Sequence, residues 1–223
     1  MANSIISVKN VSKTYHLGDI QVRALQNINL EIKRGDFAVI VGRNGSGKST
    51  LLHQLGLIDL PDKGEIYFHD REVVHMPEKR RRELRLSDIG YIFQNYALIA
   101  ELTALENVML PAMMKEETSV CKKRAKGLLV KVGLEKRLTH LSKQLSGGEQ
   151  QKVAIARSLI NNPIIILADE PTANLDTTAA KDVMQTFQKL NREDGLTVVM
   201  ITHEPEETVY ANKQIKLSDG RII

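Results

Sequence analysis

GRNGSGKST, residues 42–50, follows the apolar run FAVIV (37–41) and leads into TLLHQL (50–55), which has a helical pattern. The loop fits the spacing G-x-x-x-x-G-K-[ST], and a strand before it with a helix after it is the context in which that spacing carries chemistry. Its glycines let the backbone from Gly42 through Arg43, Asn44, Gly45, Ser46 and Gly47 wrap a phosphate with amides turned inward. Lys48 can neutralise the outer phosphates, and the Ser49 hydroxyl, with Thr50 beside it, can bind Mg2+.

A nucleotide with its metal needs a second anchor, and IIILADE (164–170) supplies one. An apolar strand carries Asp169 to its C-terminal end, where a carboxylate can hold the metal directly or through water. Glu170 follows and can orient or deprotonate an attacking water. Gln94 ends the strand-like IGYIFQ (89–94) and can touch the metal or the water, unless it is simply a polar strand end. His203 ends VVMITH (198–203), where it either donates to a terminal phosphate or stands as a surface residue. Tyr15 either stacks on a base or packs within a β-rich lobe. The basic run EKRRRELR (78–85) reads as a solvated helix without a function.

LSGGEQQKVAIARSL (145–159) raises a separate question. Ser146 and Glu149 form an S-x-x-E capping box, which explains a well-made helix start. The box does not explain Gly147 and Gly148, because glycine at the first helical positions costs up to about 1 kcal/mol each relative to alanine. Bare amides at the positive end of the helix dipole make a second anion site.

Composition bounds the rest. The chain has 223 residues, 42% hydrophobic and 26% charged, enough for one good core and a second lobe. A net charge of +4 raises the question of nucleic acid, but Trp is absent, aromatics are 4%, and the basic residues are spread out, so no nucleic-acid partner is expected. The single Cys121 excludes an intrachain disulfide and is expected on a solvated helix face beside Lys122, Lys123 and Arg124. No secretory segment, bilayer-length apolar run or regulatory domain after the last hairpin is expected.

Three zones follow along the chain. Residues 1 to about 75 alternate β-rich runs with turns: IISVKNVSKTY, VRALQNINLEI, DFAVIVG and GEIYFHDREV. From about 100 to 162 the pattern is helical, with Val120, Leu128, Leu129 and Val132 at helix-like spacing. Beyond Pro163 a strand, a helix striped by Val183, Met184, Phe187 and Leu190, and a second strand predict parallel α/β structure, closed by a hairpin turning at Asp219 and Gly220. The expected fold is α/β, with residues 1–99 and 163–223 forming a core and β subdomain, and residues 100–162 forming a helical insert.

In this order the motifs closely resemble those of the ATP-binding subunits of ABC transporters, over essentially the whole chain. The resemblance rests on the loop at 42–50, Gln94, LSGGEQ (145–150), IIILADE (164–170), NLD (174–176) and His203. It implies a single nucleotide-binding domain: a P-loop NTPase (RecA-like) core with an antiparallel β subdomain and an inserted helical subdomain. It implies that Tyr15 stacks on adenine and that the phosphate loop, Lys48 and Ser49 hold ATP and Mg2+. Gln94 senses the metal and water, Asp169 holds Mg2+, Glu170 is the base and His203 meets the γ-phosphate. Two such subunits close head to tail, so that Ser146, Gly147, Gly148 and Glu149 of one chain cover the nucleotide on the other. The partners implied are a second copy or a paralogous ATPase, and a separate integral membrane permease that keeps the subunit peripheral to the cytoplasmic face of the plasma (inner) membrane.

LSGGEQ (145–150) is the signature of that family, and ELTALENVMLP (101–111) with LSGGEQQKVAIARSL (145–159) resembles the subgroup that powers lipoprotein release and macrolide or peptide export. Arg43, Ser142, Lys152 and Ala173 depart from that subgroup's usual residues, and none of these removes a catalytic group. An ATPase of a cell-division signalling complex would share nearly every motif. A soluble ABC ATPase of translation or DNA repair would usually carry tandem nucleotide domains or a long coiled-coil insertion, which this chain lacks.

Overall fold

The computed structural model describes residues 4–223. The chain opens with an antiparallel hairpin of β1 (Ser4–Leu17) and β2 (Ile20–Lys33), whose register shifts at several bulges. Then follow β3 (Phe37–Val41), α1 (Lys48–Leu55), β4 (Lys63–Phe68), β5 (Arg71–Glu72), α2 (Glu78–Ser87) and β6 (Ile89–Ile92). Three helices come next: α3 (Ala104–Met109), α4 (Thr118–Lys131) and α5 (Gly147–Leu159). The chain closes with β7 (Ile165–Asp169), α6 (Thr177–Asp194), β8 (Thr197–Ile201), β9 (Lys213–Ser218) and β10 (Arg221–Ile222).

Among the described residues the strands make two sheets. One is antiparallel, in the order β2-β1-β4-β5. The other runs β10-β9-β3-β8-β7-β6 and is parallel from β9 to β6. β3, β7 and β8 read as continuous apolar runs because helices and the first sheet cover both their faces. Phe37 and Val39 face a cluster built with α3 to α6, while Ala38 and Ile40 face one built with α1 and the antiparallel sheet. β9 and β10 turn through Asp219 at φ 48° and Gly220 at φ 76°, the two-residue hairpin expected there.

The α6 stripe is as expected, with Val183, Met184, Phe187 and Leu190 buried. α2 buries none of its residues, in keeping with a solvated helix, although Arg85 donates to the Leu57 carbonyl at 2.8 Å and so fastens it to the end of α1. Cys121 is a correction: it is fully buried, not solvated. The inward stripe of α4 is Cys121, Ala125 and Leu129, spaced by four, and small residues there let α4 lie close to α3 and α5. Val120 consequently turns outward and is 50% exposed, whereas Leu129 and Val132 are buried and Leu128 packs against the same cluster.

Candidate functional site

The loop after β3 is shaped by close backbone approach. A Cβ on Gly42 would lie 2.2 Å from the Leu217 carbonyl oxygen, and one on Gly47 would lie 2.3 Å from that of Ala24. Gly47, at φ 100°, starts α1 without any side chain capping the first amides, which leaves those donors open to an anion. Lys48 is 6% exposed, and its ammonium donates to the carbonyls of Gly42 at 3.0 Å and Arg43 at 3.1 Å. Ser46 is buried, and its hydroxyl has no hydrogen-bond partner among the described residues. An orphaned buried hydroxyl beside open amides and an ammonium is a donor set that fits phosphate. Arg43, Asn44, Gly45 and Ser49 are exposed, and Thr50 is half-buried.

β7 delivers Asp169 opposite this loop, with its Oδ1 3.5 Å from the Ser49 hydroxyl. Burial pushes the Asp169 carboxyl above its ordinary value and Glu170 adds to this, while His53, Ser49 and Lys48 pull the other way. A half-buried carboxylate whose charge is incompletely balanced, facing a hydroxyl, fits a divalent cation. Glu170 sits at φ 43°, a left-handed conformation that a non-glycine residue rarely adopts, and its carbonyl accepts from the Ala173 amide at 3.2 Å. The Glu170 carboxylate accepts from the Gln94 amide at 3.2 Å and lies 3.5 Å from His203 Nδ1, whose Nε2 is 3.1 Å from Glu204. Gln94, Asp169, Glu170 and His203 therefore converge just beyond the C-terminal ends of β6, β7 and β8. That is where parallel α/β sheets place their ligands.

Tyr15 and the 146–149 segment stand apart from this cluster. The Tyr15 hydroxyl donates to Asp59 at 2.8 Å. The Ser146–Glu149 capping box is present, with the Glu149 amide donating to the Ser146 hydroxyl at 3.2 Å and the Ser146 amide to the Glu149 carboxylate at 2.9 Å. Arg137, 2.8 Å away, holds the Glu149 carboxyl below its ordinary value, as does the Ser146 amide. A Cβ on Gly147 would come within 3.2 Å of Leu175 and of the Tyr96 hydroxyl, and one on Gly148 within 3.0 Å of the Ala179 methyl. The start of α5 thus rests closely against the start of α6. This packing gives the two glycines a reason within the chain that the sequence argument lacked.

Further contacts organise the site. Asn174 donates to the Gln94 carbonyl at 3.0 Å, tying the segment after Glu170 to the one after β6. Arg157, on α5, donates to the carbonyls of Tyr96, at 2.7 Å, and Ala97, both at positive φ. It joins the helix that begins at the signature to the Gln94 segment. Asp176 caps α6 by accepting from the Ala179 amide at 2.9 Å, a signal legible as an acidic residue just ahead of a helical stripe. Arg157 carries no comparable local signal, because its partners are distant in sequence, whereas Asn174 and Asp176 belong to the NLD stretch (174–176) although the contact of Asn174 with Gln94 leaves no local trace.

Comparisons with known proteins agree with this geometry. A family model described as ABC transporter matches residues 25–173. The ABC transporter ATP-binding protein MJ1508 of Methanocaldococcus jannaschii is 53% identical over 220 residues, covering 98% of each chain. The macrolide export ATP-binding/permease protein MacB of Bdellovibrio bacteriovorus is 47% identical over 218 residues, 98% of this chain but 33% of that protein. The chain thus spans nearly all of the first relative and about a third of the second. Among solved structures, a dimeric post-hydrolysis state of the ATP-binding cassette MJ0796 bound to ADP and Pi superposes with a TM-score of 0.90 at 44% identity, covering 97% of this chain and 96% of that one.

Proposed function

The chain belongs to the ABC transporter family as an ATP-hydrolysing cassette, and from that premise we propose that it powers a separate membrane permease by closing head to tail with a second copy or a paralogous subunit around ATP. The observation that carries this reading is the convergence of Lys48, Ser49, Gln94, Asp169, Glu170 and His203 around one phosphate loop.

In this reading the loop amides from Gly42 to Gly47 and the Lys48 ammonium bind the triphosphate. Ser49 and Asp169, with Gln94 at the edge, hold Mg2+, which supplies neutralisation of phosphate charge when bound. Glu170 accepts the proton of the attacking water; Gln94 orients the Glu170 carboxylate and senses the metal and water, and His203 meets the terminal phosphate. The strained backbone at Glu170 aims that carboxylate and is stabilised by the turn that Ala173 closes. Tyr15 supplies the platform for the base.

The residues from Ser146 to Glu149 neighbour Tyr96, Asn174, Leu175, Ala179 and Arg137, not residues 42–50. An anion site so placed suits a nucleotide brought by a partner, and the similar cassette MJ0796 is dimeric in its solved structures. The macrolide relative, by its name, joins ATP-binding and permease parts in one protein, and this chain matches about a third of its length. In this reading the permease exports or extracts a lipoprotein, drug or peptide, and this subunit is peripheral to the cytoplasmic face of the plasma (inner) membrane. No helix among the described residues is long and apolar enough to cross a membrane. The whole chain, 1–223, is read as one nucleotide-binding domain with a helical part at about 100–162.

The test is co-purification from detergent-solubilised membranes with ATP turnover measured on the recovered complex. An integral membrane protein recovered with the chain, and stimulating its Mg2+-dependent phosphate release, is the expected result. Recovery of ribosomes or DNA instead would overturn the transport reading.

A further inference from the structure

Tyr15 is not a free ring at the edge of a sheet. Its hydroxyl donates to Asp59 Oδ2 at 2.8 Å, and the other oxygen of that carboxylate accepts from Lys13 Nζ at 2.9 Å and from the Leu60 amide at 2.8 Å. Lys13 also donates to the Leu60 carbonyl at 2.7 Å, and its ammonium stands 5.3 Å from the centre of the Tyr15 ring. Asp62 extends the cluster, accepting from the Thr14 amide at 2.7 Å and lying 3.7 Å from Lys13. The Lys13 side chain is 13% exposed and that of Asp59 31%.

Asp59 belongs to the turn that ends α1. The amides of Ile58 and Asp59 both return to the His53 carbonyl, at 3.0 and 3.4 Å. α1 is the helix whose N-terminus carries the phosphate loop. One end of a rigid eight-residue rod therefore holds the phosphate donors, and Asp59, in the turn that follows the other end, holds the aromatic ring. A nucleotide gripped at both places needs its base platform at a fixed distance from its phosphate cradle. A tyrosine that rotated freely about χ1 would have to be ordered at each binding event.

We infer that Asp59, braced by Lys13, is a positioning residue for nucleotide binding, fixing the Tyr15 ring against the phosphate-loop helix so that the base stacks without reordering the platform. The inference rests on the reading of Tyr15 as the base platform. The electrostatics agree with it: burial and the Asp59 hydrogen bond push the Tyr15 phenol up against an opposing pull from Thr50, so the hydroxyl stays a donor. Burial would raise the Asp59 carboxyl, but the Lys13 and Tyr15 hydrogen bonds outweigh it and hold the group below its ordinary value.

The experiment compares two probes, MgATP, which has a base, and magnesium tripolyphosphate, which has none, in titrations of the full chain. Asp59→Ala and Tyr15→Phe should each weaken ATP about 3- to 10-fold, the net size of one ordinary hydrogen bond, and the double variant should be no weaker than the poorer single one. Tripolyphosphate affinity should stay within about two-fold in all three. Asp59→Asn, which keeps the shape and an acceptor, provides the same comparison if Asp59→Ala does not fold, with a smaller loss. An equal loss for ATP and tripolyphosphate would mean that Asp59 supports the phosphate loop as scaffold and would overturn the inference. So would additive losses in the double variant. Tyr15→Ala separates the two levels: if it weakens ATP while Asp59→Ala does not, the base platform stands and the tether falls. If Tyr15→Ala leaves ATP affinity unchanged, the base-platform reading is wrong and the inference goes with it.

Discussion

The side-chain amide of Gln94 donates to the Glu170 carboxylate at 3.2 Å, joining residues that end two different strands and lie 76 positions apart. His203 Nδ1 lies 3.5 Å from the same oxygen, so the two side chains fix where the Glu170 carboxylate stands. Glu170→Gln preserves the shape of this cluster and removes only the base. ATP binding should persist while hydrolysis falls by roughly 100- to 10,000-fold, the range typical of losing a general base. Near-normal phosphate release from the variant would remove Glu170 from that role.

Lys48 and His203 should separate binding from turnover. The buried Lys48 ammonium sits against the loop carbonyls of Gly42 and Arg43, so Lys48→Ala deprives the phosphates of their fixed cation and should weaken ATP binding itself. His203 is exposed and touches Glu170 and Glu204 rather than the loop, so His203→Ala should mainly slow turnover. Equal ATP affinity in wild type and Lys48→Ala, measured by titration, would contradict the loop assignment.

Asp169 makes the cost of burying a carboxylate measurable. Burial, with Glu170 adding to it, raises its folded-state pKa above the ordinary 3.8, so the ionised carboxylate is worse off folded than unfolded. That penalty is full above the folded-state value and disappears as pH falls to the ordinary one. In the absence of Mg2+ and nucleotide, Asp169→Asn should raise the denaturant midpoint at pH 7, and the gap to wild type should close as pH falls toward 4. The same variant should lose metal-dependent ATP turnover. A lower midpoint at pH 7 would show that Asp169 stabilises the fold instead of being strained by it.

Much of this molecule is legible in short windows, and the exceptions share a cause. The α6 stripe and the loop at 42–50 announce themselves because periodicity and motif are local properties. Cys121 misled because its neighbours Lys122, Lys123 and Arg124 are charged. Burial on a helix follows spacing by four, which joins Cys121 to Ala125 and Leu129. Gly148 was read as room for a phosphate, yet the Ala179 methyl that also crowds it lies 31 positions away and leaves no trace nearby. The Tyr15–Asp59 contact spans 44 positions and was invisible for the same reason. The convergence of Gln94, Asp169, Glu170 and His203 was legible only because each ends an apolar run, and parallel strands bring such ends to one edge.

The last prediction concerns the signature, and the structure dictates which residue should carry it. A substitution at Gly148 would push a Cβ to 3.0 Å from Ala179 and disturb the α5–α6 packing, so a loss of function there would have two explanations. Ser146 is exposed and acts as the N-cap of α5, and Asp caps a helix as well as Ser does. Ser146→Asp therefore keeps the helix start and adds a negative charge where a partner's γ-phosphate would arrive. In the Glu170→Gln background, ATP should shift the chain from monomer toward dimer in sizing chromatography, since hydrolysis can no longer reopen the pair. Adding Ser146→Asp should abolish that shift, because like charges brought together in a dehydrated interface repel strongly. ATP affinity of the dilute monomer should stay almost unchanged, as Ser146 neighbours none of the loop residues 42–50. If Ser146→Asp instead weakens monomer binding as much as Lys48→Ala does, the signature serves its own chain's nucleotide and the head-to-tail arrangement is wrong.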